Sequence, residues 1–263
     1  MNSYIVYKDK IVSKLGIGTS AYGSRVNQKD ANFIIETLIN KGINYIDTSP
    51  YYGFGNAERI VAKSIQGKRN ELFISTKFGI SIRNSNSFIR KLIPWSRKIY
   101  SIPGVKNAFK KTSGNYIIDK ILTVEQVSTS IYSSLKNLRV EYLDLLIVHN
   151  NIGAYIEDNE LIDYLLELRN KQIIFNYGVS TNQLDESIVN KIRLEKSIET
   201  IQIPYVERYK LVLRDFRVTY FSLFSSGMPN MHELKNMILS HNGHFIVLIT
   251  NKYNIDKYLS YYK

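Results

Sequence analysis

The chain has 263 residues, enough for one large core or two small ones, and no cysteine, which excludes a disulfide framework and thiolate metal sites. The N-terminus MNSYIVYKDK has no apolar export segment and no run approaches a membrane span, so a soluble cytoplasmic protein without a membrane partner is expected. The formal charge is +12, but residues 80–122 hold nine cations against one anion, Asp119, so one segment carries +8 and everything else +4.

In chain order, SYIVY and KIV read as a short hairpin with Lys8 and Asp9 at its tip. Strands follow at Leu15–Gly18, Tyr45–Asp47, Leu72–Thr76, Leu143–Val148, Ile174–Val179, Thr200–Ile203, Val218–Ser222 and Phe245–Ile249. Between them lie amphipathic stretches. Gln28–Lys41 carries Ile34, Ile35, Leu38 and Ile39 on one face, and Val124–Leu138 follows a capping-box pattern of Thr123 and Gln126. Met231–Ser240 and Asn254–Tyr262 complete the series.

Eight strands alternating with helices predict a single (β/α)8 TIM barrel over residues 1–263, with a long basic insertion, residues 80–122, after strand 3. An open doubly wound sheet is the alternative, but no GxGxxG follows the first strand. In a barrel of this kind the reactive groups belong at the C-terminal strand ends.

The stretch DTSPYYG, residues 47–53, sits at such an end. A turn needs only the proline, the glycine and one short polar side chain. Asp47 and the tyrosines are left over. Lys77 in FISTKFG and His149 in LDLLIVHN occupy the next two strand ends, and Tyr52 lies on the loop after Asp47. The four residue types form a coherent set for protonating an oxygen whose carbon receives a hydride. An ammonium beside a phenol lowers its pKa, a carboxylate keeps the ammonium charged, and a neutral imidazole hydrogen-bonds the carbonyl oxygen. Singly, each has a duller explanation as a cap, a surface charge or a core histidine.

The spans LGIGTSAYG, GINYIDTSPYYGFGNAERIVAKSI, LFISTKFG, TVEQVSTSIYSSLKNLRVEYLDLLIVHN and FNYGVSTN, in that order over roughly the first 180 residues, resemble the aldo-keto reductases. The resemblance implies a (β/α)8 barrel, an extended nicotinamide cofactor bound without a Rossmann fold, and carbonyl reduction with Tyr52 as general acid assisted by Asp47, Lys77 and His149. It further implies NADP(H), with NAD(H) the alternative, held by Gly18, Thr19, Asp47, Ser180, Thr181, Gln202 and Phe221. Thr181 stands where the family usually has asparagine, and Leu223 where a proline is common. ITNKYNIDKYL is similar to a shortened form of the family's phosphate-binding turn, which would place Thr250, Asn251 and Lys252 against the adenosine phosphate at a helix N-terminus. A plain helix cap is the competing reading there. The family's C-terminal tail, which often shapes the substrate pocket, has no counterpart before Lys263.

The basic insertion interleaves Phe88, Trp95, Tyr100, Phe109 and Tyr116 with its cations. Attached just after Lys77, it is expected over the barrel mouth, as a lid for a phosphorylated or nucleotide-linked carbonyl substrate or as a loop without a specific partner, nucleic acid being the lesser alternative. A different class of function, a binding or regulatory protein that kept the barrel while its cofactor clamp decayed, remains open on the sequence. The oligomeric state and the substrate's identity are not legible in it.

Overall fold

Strand residues of alternating character put one set of side chains toward helices and the other toward a shared axis, and eight such strands close on themselves here. The computed structural model describes residues 4–7, 9–82, 117–120, 123–149, 152–195, 197–208, 213, 215–223, 232, 235–236, 238, 241 and 243–260. A hairpin of β1 (Tyr4–Tyr7) and β2 (Lys10–Ser13) comes first, paired from Tyr4 opposite Ser13 to Tyr7 opposite Lys10. The barrel strands are β3 (Leu15–Gly18), β4 (Tyr45–Asp47), β5 (Phe73–Phe78), β8 (Leu145–His149), β9 (Tyr177–Ser180), β10 (Thr200–Pro204), β11 (Arg217–Phe221) and β12 (His244–Val247). All neighbours are parallel, and β12 returns to β3 to close the ring.

Among the described residues the helices are α1 (Gln28–Asn40), α2 (Ala57–Ser64), α3 (Val124–Leu138), α4 (Ile152–Ile156), α5 (Asn159–Asn170), α6 (Glu186–Leu194) and α7 (Ile255–Leu259). Asn27 caps α1 by accepting from the Asp30 N–H, and Thr123 caps α3 in the reciprocal capping box expected from its sequence. Of Met231–Ser240, residues 232, 235, 236 and 238 are described, and all four are helical.

The two faces of the strands bury different things. Ile46, Ile74, Leu146, Val179 and Ile201 point outward and join Ile34, Leu38, Val61, Val127 and Leu165 of the helices in the main core. Tyr45, Phe73, Leu145, Ile147 and Ile246 point inward and meet Tyr7 and Val12 of the hairpin. The hairpin thus plugs the N-terminal end of the barrel, where the Tyr7 hydroxyl meets Thr200 Oγ1 at 2.8 Å. Lys10 Nζ ties it down further, donating to the Leu72 carbonyl at 3.0 Å and pairing with buried Asp144 at 2.6 Å. With that end closed, only the C-terminal mouth is left for chemistry.

Directly after β5 the chain leaves the barrel in β6 (Ile80–Ile82) and returns in β7 (Ile117–Lys120), which pair antiparallel. The insertion therefore starts and ends as a two-stranded ribbon at the mouth. Its body, residues 83–116 and 121–122, lies outside the described residues.

Candidate active site

The alternation that builds the core also builds the site. In β5, Thr76 points outward, donating to Glu58 Oε1 at 2.8 Å, so Ser75 and Lys77 on either side of it point into the barrel. Asp47, last in β4 and register partner of Ser75, receives both. Lys77 Nζ lies 2.8 and 2.7 Å from the two Asp47 oxygens and donates to the Thr48 carbonyl at 3.0 Å. Ser75 Oγ donates to Asp47 Oδ1 at 2.8 Å, and Gln202 Nε2 from the opposite wall donates to the same oxygen at 3.0 Å. Both ions are buried, Asp47 at 4% and Lys77 at 2% exposure, so the carboxylate is held by four donor contacts in a place where an unpaired charge would be costly.

Tyr52 enters from a short 3₁₀ turn, Tyr52–Gly55, begun by the Tyr52 N–H donating to the Ser49 carbonyl at 3.0 Å. Gly53 makes this turn possible. Its φ is 58°, and a Cβ there would lie 1.8 Å from the Tyr22 carbonyl oxygen. The turn brings the Tyr52 ring to 4.9 Å from Lys77 Nζ. Burial raises the phenol's pKa and the Asp47 charge adds to that, while the Lys77 ammonium opposes both. The lowering expected from the ammonium is thus present but outweighed, and the phenol stands above its ordinary value. Burial would pull Lys77 down, yet Asp47 and Tyr52 outweigh it and hold the ammonium above the usual lysine range.

His149 ends β8, aligned with Ser180 at the end of β9. Burial and the Lys77 charge lower its pKa to about 4, so the imidazole is neutral near pH 7. Its buried Nδ1 has no hydrogen-bond partner among the described residues.

A cleft of about 540 Å³ opens above these groups, lined by Asp47, Tyr52, His149, Gly18, Thr19, Ser180, Gln202 and Phe221 among the residues singled out from sequence. Gly18 must lack a side chain, since a Cβ would come 2.8 Å from Ile246. Other sequence candidates lie elsewhere. Thr181 is turned into its own loop, its Oγ1 donating to the Gln183 carbonyl at 2.6 Å, and neighbouring Asn182 lines the cleft instead. Thr250, Asn251 and Lys252 are outside the lining. Asn251 caps a 3₁₀ turn by accepting from the Tyr253 N–H, and the Lys252 ammonium pairs with Asp30 at 3.0 Å.

Sequence reasoning missed Ser75 and Thr48 as partners of the buried pair, and Ser20, Arg25, Asn182, Ser222 and Tyr258 as lining. Strand alternation could have placed Ser75 inward beside Lys77. Nothing local marks Arg25 or Tyr258, which reach the cleft from a loop and from the last helix.

The aldo/keto reductase family model matches residues 14–207. The aldo-keto reductase YhdN of Bacillus subtilis is 28% identical over 199 residues, covering 73% of this chain and 50% of that protein. The NADH-specific methylglyoxal reductase of Escherichia coli is 28% identical over 148 residues, 54% of this chain and 39% of the relative. The matched stretch spans about 40–60% of the length of these and the other curated relatives. Among solved structures, an aldo-keto reductase from Klebsiella pneumoniae in complex with NADPH superimposes with a TM-score of 0.73 over 100% of this chain and 90% of its own, at 16% identity, which speaks to the fold alone. Described helices include none long and apolar enough to cross a membrane. With a family model matched along most of its length and a closed barrel of the kind its relatives share, the chain belongs to the aldo/keto reductase family.

Proposed function

We propose that the chain reduces an aldehyde or ketone with a nicotinamide cofactor, or runs the reverse oxidation, with Tyr52 as the proton donor. The observation that carries this reading is the convergence of Asp47, Lys77, Tyr52 and neutral His149 on one cleft. Asp47 fixes the Lys77 ammonium, and the ammonium faces the phenol. As the substrate oxygen gains negative charge it takes the Tyr52 proton, and the phenolate left behind is stabilised by Lys77. A neutral His149 offers an N–H to the same oxygen without competing as an acid. NADPH, or NADH, supplies the hydride when bound.

The cleft suits the nicotinamide end of such a cofactor. Gly18 leaves room on its floor, Ser180 and Asn182 offer polar contacts to a carboxamide, Gln202 keeps its carbonyl oxygen while its amide nitrogen is on Asp47, and Phe221 gives a ring face. Thr19 also lines the cleft, and the sequence resemblance leaves Thr250 and Asn251 as candidates for the phosphate end, with Lys252 competing between that role and Asp30. An anionic substrate is favoured by Arg25 in the lining and by the +8 balance of residues 80–122, whose ribbon is attached at the mouth. Phosphorylated and nucleotide-linked carbonyls are the substrate classes that such a charge balance favours.

Titration with NADPH and NADH, followed by turnover on a carbonyl panel that includes nucleotide sugars, tests the reading. Tyr52→Phe should lower kcat by about 10²- to 10⁴-fold with cofactor affinity nearly unchanged, because the hydroxyl acts in the transition state. No saturable binding of either NADPH or NADH would favour the regulatory alternative, and wild-type turnover in Tyr52→Phe would assign the proton to another group. For an anionic carbonyl kcat/KM should fall with added salt, as the Debye length shrinks from about 10 Å at 0.1 M to about 3 Å at 1 M, while a neutral aldehyde stays level.

A further inference from the structure

Outside the reduction cleft the outer wall of the barrel carries a second hollow, of about 670 Å³, between α1, α2 and α3. Its lining includes Arg59 and Lys63 of α2, Lys136 of α3 and Arg139 at the α3 C-cap, together with Asn56 and Asn137, and no carboxylate. All four cations are exposed. None of them is ion-paired with a carboxylate among the described residues, although Lys10, Arg69, Lys77, Arg169, Lys171, Lys191, Arg193, Arg217 and Lys252 all are. Like charges gathered on one concave surface repel one another, and no carboxylate enters the lining to offset them, although buried Glu58 attracts the adjacent Arg59.

Two carboxylates of the flanking helices, Glu58 and Asp30, spend their hydrogen bonds elsewhere. Glu58 is 1% exposed and accepts from Thr76 Oγ1 at 2.8 Å and Asn137 Nδ2 at 3.2 Å. Asp30 is held by Asn27 Nδ2 at 2.8 Å and by Lys252 at 3.0 Å. Asn137 in turn accepts from Arg59 Nε at 3.1 Å, which anchors the guanidinium through Nε and leaves its two Nη groups without a described partner. Arg139 sits in left-handed backbone, φ 56° and ψ 47°, a conformation that favours glycine. The C-cap thus keeps a long cation over the hollow where a glycine would suit the backbone better.

We propose that this hollow is an anion-binding site, separate from the reduction cleft, that takes a phosphate-rich small molecule of nucleotide size through Arg59, Lys63, Lys136 and Arg139. Its volume lies in the range of small-molecule sites. Guanidinium groups match phosphate oxygens in pairs, and the Asn56 and Asn137 amides add neutral contacts. Walls of three helices favour a compact anion over a nucleic-acid duplex, which needs a broad, open track. The site also touches the machinery from behind. Asn56 directly follows the Tyr52–Gly55 turn and donates to the Gly53 carbonyl at 3.2 Å, and Gly23 of the lining has its Cα 3.3 Å from where a Gly53 Cβ would stand. An anion held there rests against the turn that carries Tyr52.

Inorganic tripolyphosphate is the probe, titrated calorimetrically into the full chain in low salt with saturating NADPH and mapped by amide hydrogen exchange. The two hollows share no lining residue, so the result does not depend on the proposed reductase activity. Protection should appear in peptides spanning 23–28, 56–63 and 136–139. The combined variant Arg59→Gln, Lys63→Gln, Lys136→Gln, Arg139→Gly should bind at least about tenfold more weakly, since charge-assisted contacts are the strong ones. Arg139→Gly alone should melt no lower than wild type, which provides a folded control. Protection confined to peptides that contain the cleft residues Ser180, Asn182, Ile246 and Leu248, equal affinity in the combined variant, or no binding at all would overturn the proposal. A short DNA duplex that binds at 56–63 and 136–139 where tripolyphosphate does not would overturn it too, in favour of nucleic acid.

Discussion

A single buried contact, Lys77 with Asp47, organises the mouth of the barrel. Asp47→Asn would leave the ammonium buried with the Thr48 carbonyl as its remaining described acceptor besides the new amide, at a cost of about 3–5 kcal/mol, the usual price of breaking one side of a buried pair. The double change Asp47→Leu with Lys77→Met should recover much of that stability and none of the proposed activity. Urea denaturation of the single and double variants measures the stabilities and a carbonyl-reduction assay the activity, and additive losses of stability would show that the two groups are not coupled. Gly79 is a second residue whose role is steric. Its φ is 100° and a Cβ would meet the His149 carbonyl oxygen at 3.3 Å, so Gly79→Ala should cost about 1 kcal/mol or more in the same measurement and disturb the strand end that presents His149. Asp47, Lys77 and His149 were legible because each lies at or next to the end of an apolar strand, and Tyr52 because it follows Asp47 on the adjoining loop. The donors that hold Asp47 were less so, because alternation says that Ser75 and Gln202 face inward but not which atom they will meet across the barrel.

At the scale of elements, what could be read was what is local. The Thr123–Gln126 capping box spans three residues and the structure forms both of its bonds, at 3.3 and 3.4 Å. Thr123 is exposed, so Thr123→Ala removes the cap with little else and should lower stability by about 1 kcal/mol, read as a shift in thermal midpoint; an unchanged midpoint would mean that the helix is held by its buried face alone. Strand ends moved by one to three residues, as in Phe73–Phe78 against an expected Leu72–Thr76 and Tyr177–Ser180 against Ile174–Val179, because pairing rather than propensity decides where a ladder stops. The β6–β7 ribbon was not foreseen. Its partners, such as Ile80 and Lys120, are far apart in sequence, and neither segment alternates strongly enough to announce a strand. The reading of Asn251 as either phosphate contact or cap shows the same limit, since one residue type serves both and only the Tyr253 N–H at 3.0 Å tells where its oxygen is spent.

For the molecule as a whole, repetition carried the fold further than motifs did. The family model stops at residue 207, yet Arg217–Phe221 and His244–Val247 complete the ring, because a barrel of six strands leaves two edges and the remaining apolar runs satisfy them. The last of these strands also brings a titratable group to the sealed end. His244 is 2% exposed, boxed by Tyr7, Tyr45 and Phe73, and its Nδ1 lies 3.1 Å from the Ser13 carbonyl. A carbonyl only accepts, so Nδ1 carries the hydrogen and Nε2 holds the lone pair, with no partner among the described residues. Protonating Nε2 would bury a cation whose new N–H finds no acceptor, and burial, with Arg217 and Lys14 nearby, lowers the pKa to about 4. An unfolded histidine titrates near 6.5, so between about pH 6.5 and pH 4 the unfolded chain binds the proton that the folded chain refuses, and stability must fall as pH falls through that window. For His244 the loss approaches an order of 3 kcal/mol, and His149, also near 4 but partly exposed at the cleft, adds less. Glu58 works against this trend, since burial raises its pKa and the folded state takes up its proton first. Urea midpoints at pH 7 and pH 5 should therefore differ clearly in wild type. His244→Asn, whose amide can still donate to the Ser13 carbonyl, should be less stable at pH 7 for want of the ring, yet should lose less between pH 7 and pH 5. An equal slope in the two proteins would show that His244 is not what makes the fold sensitive to acid.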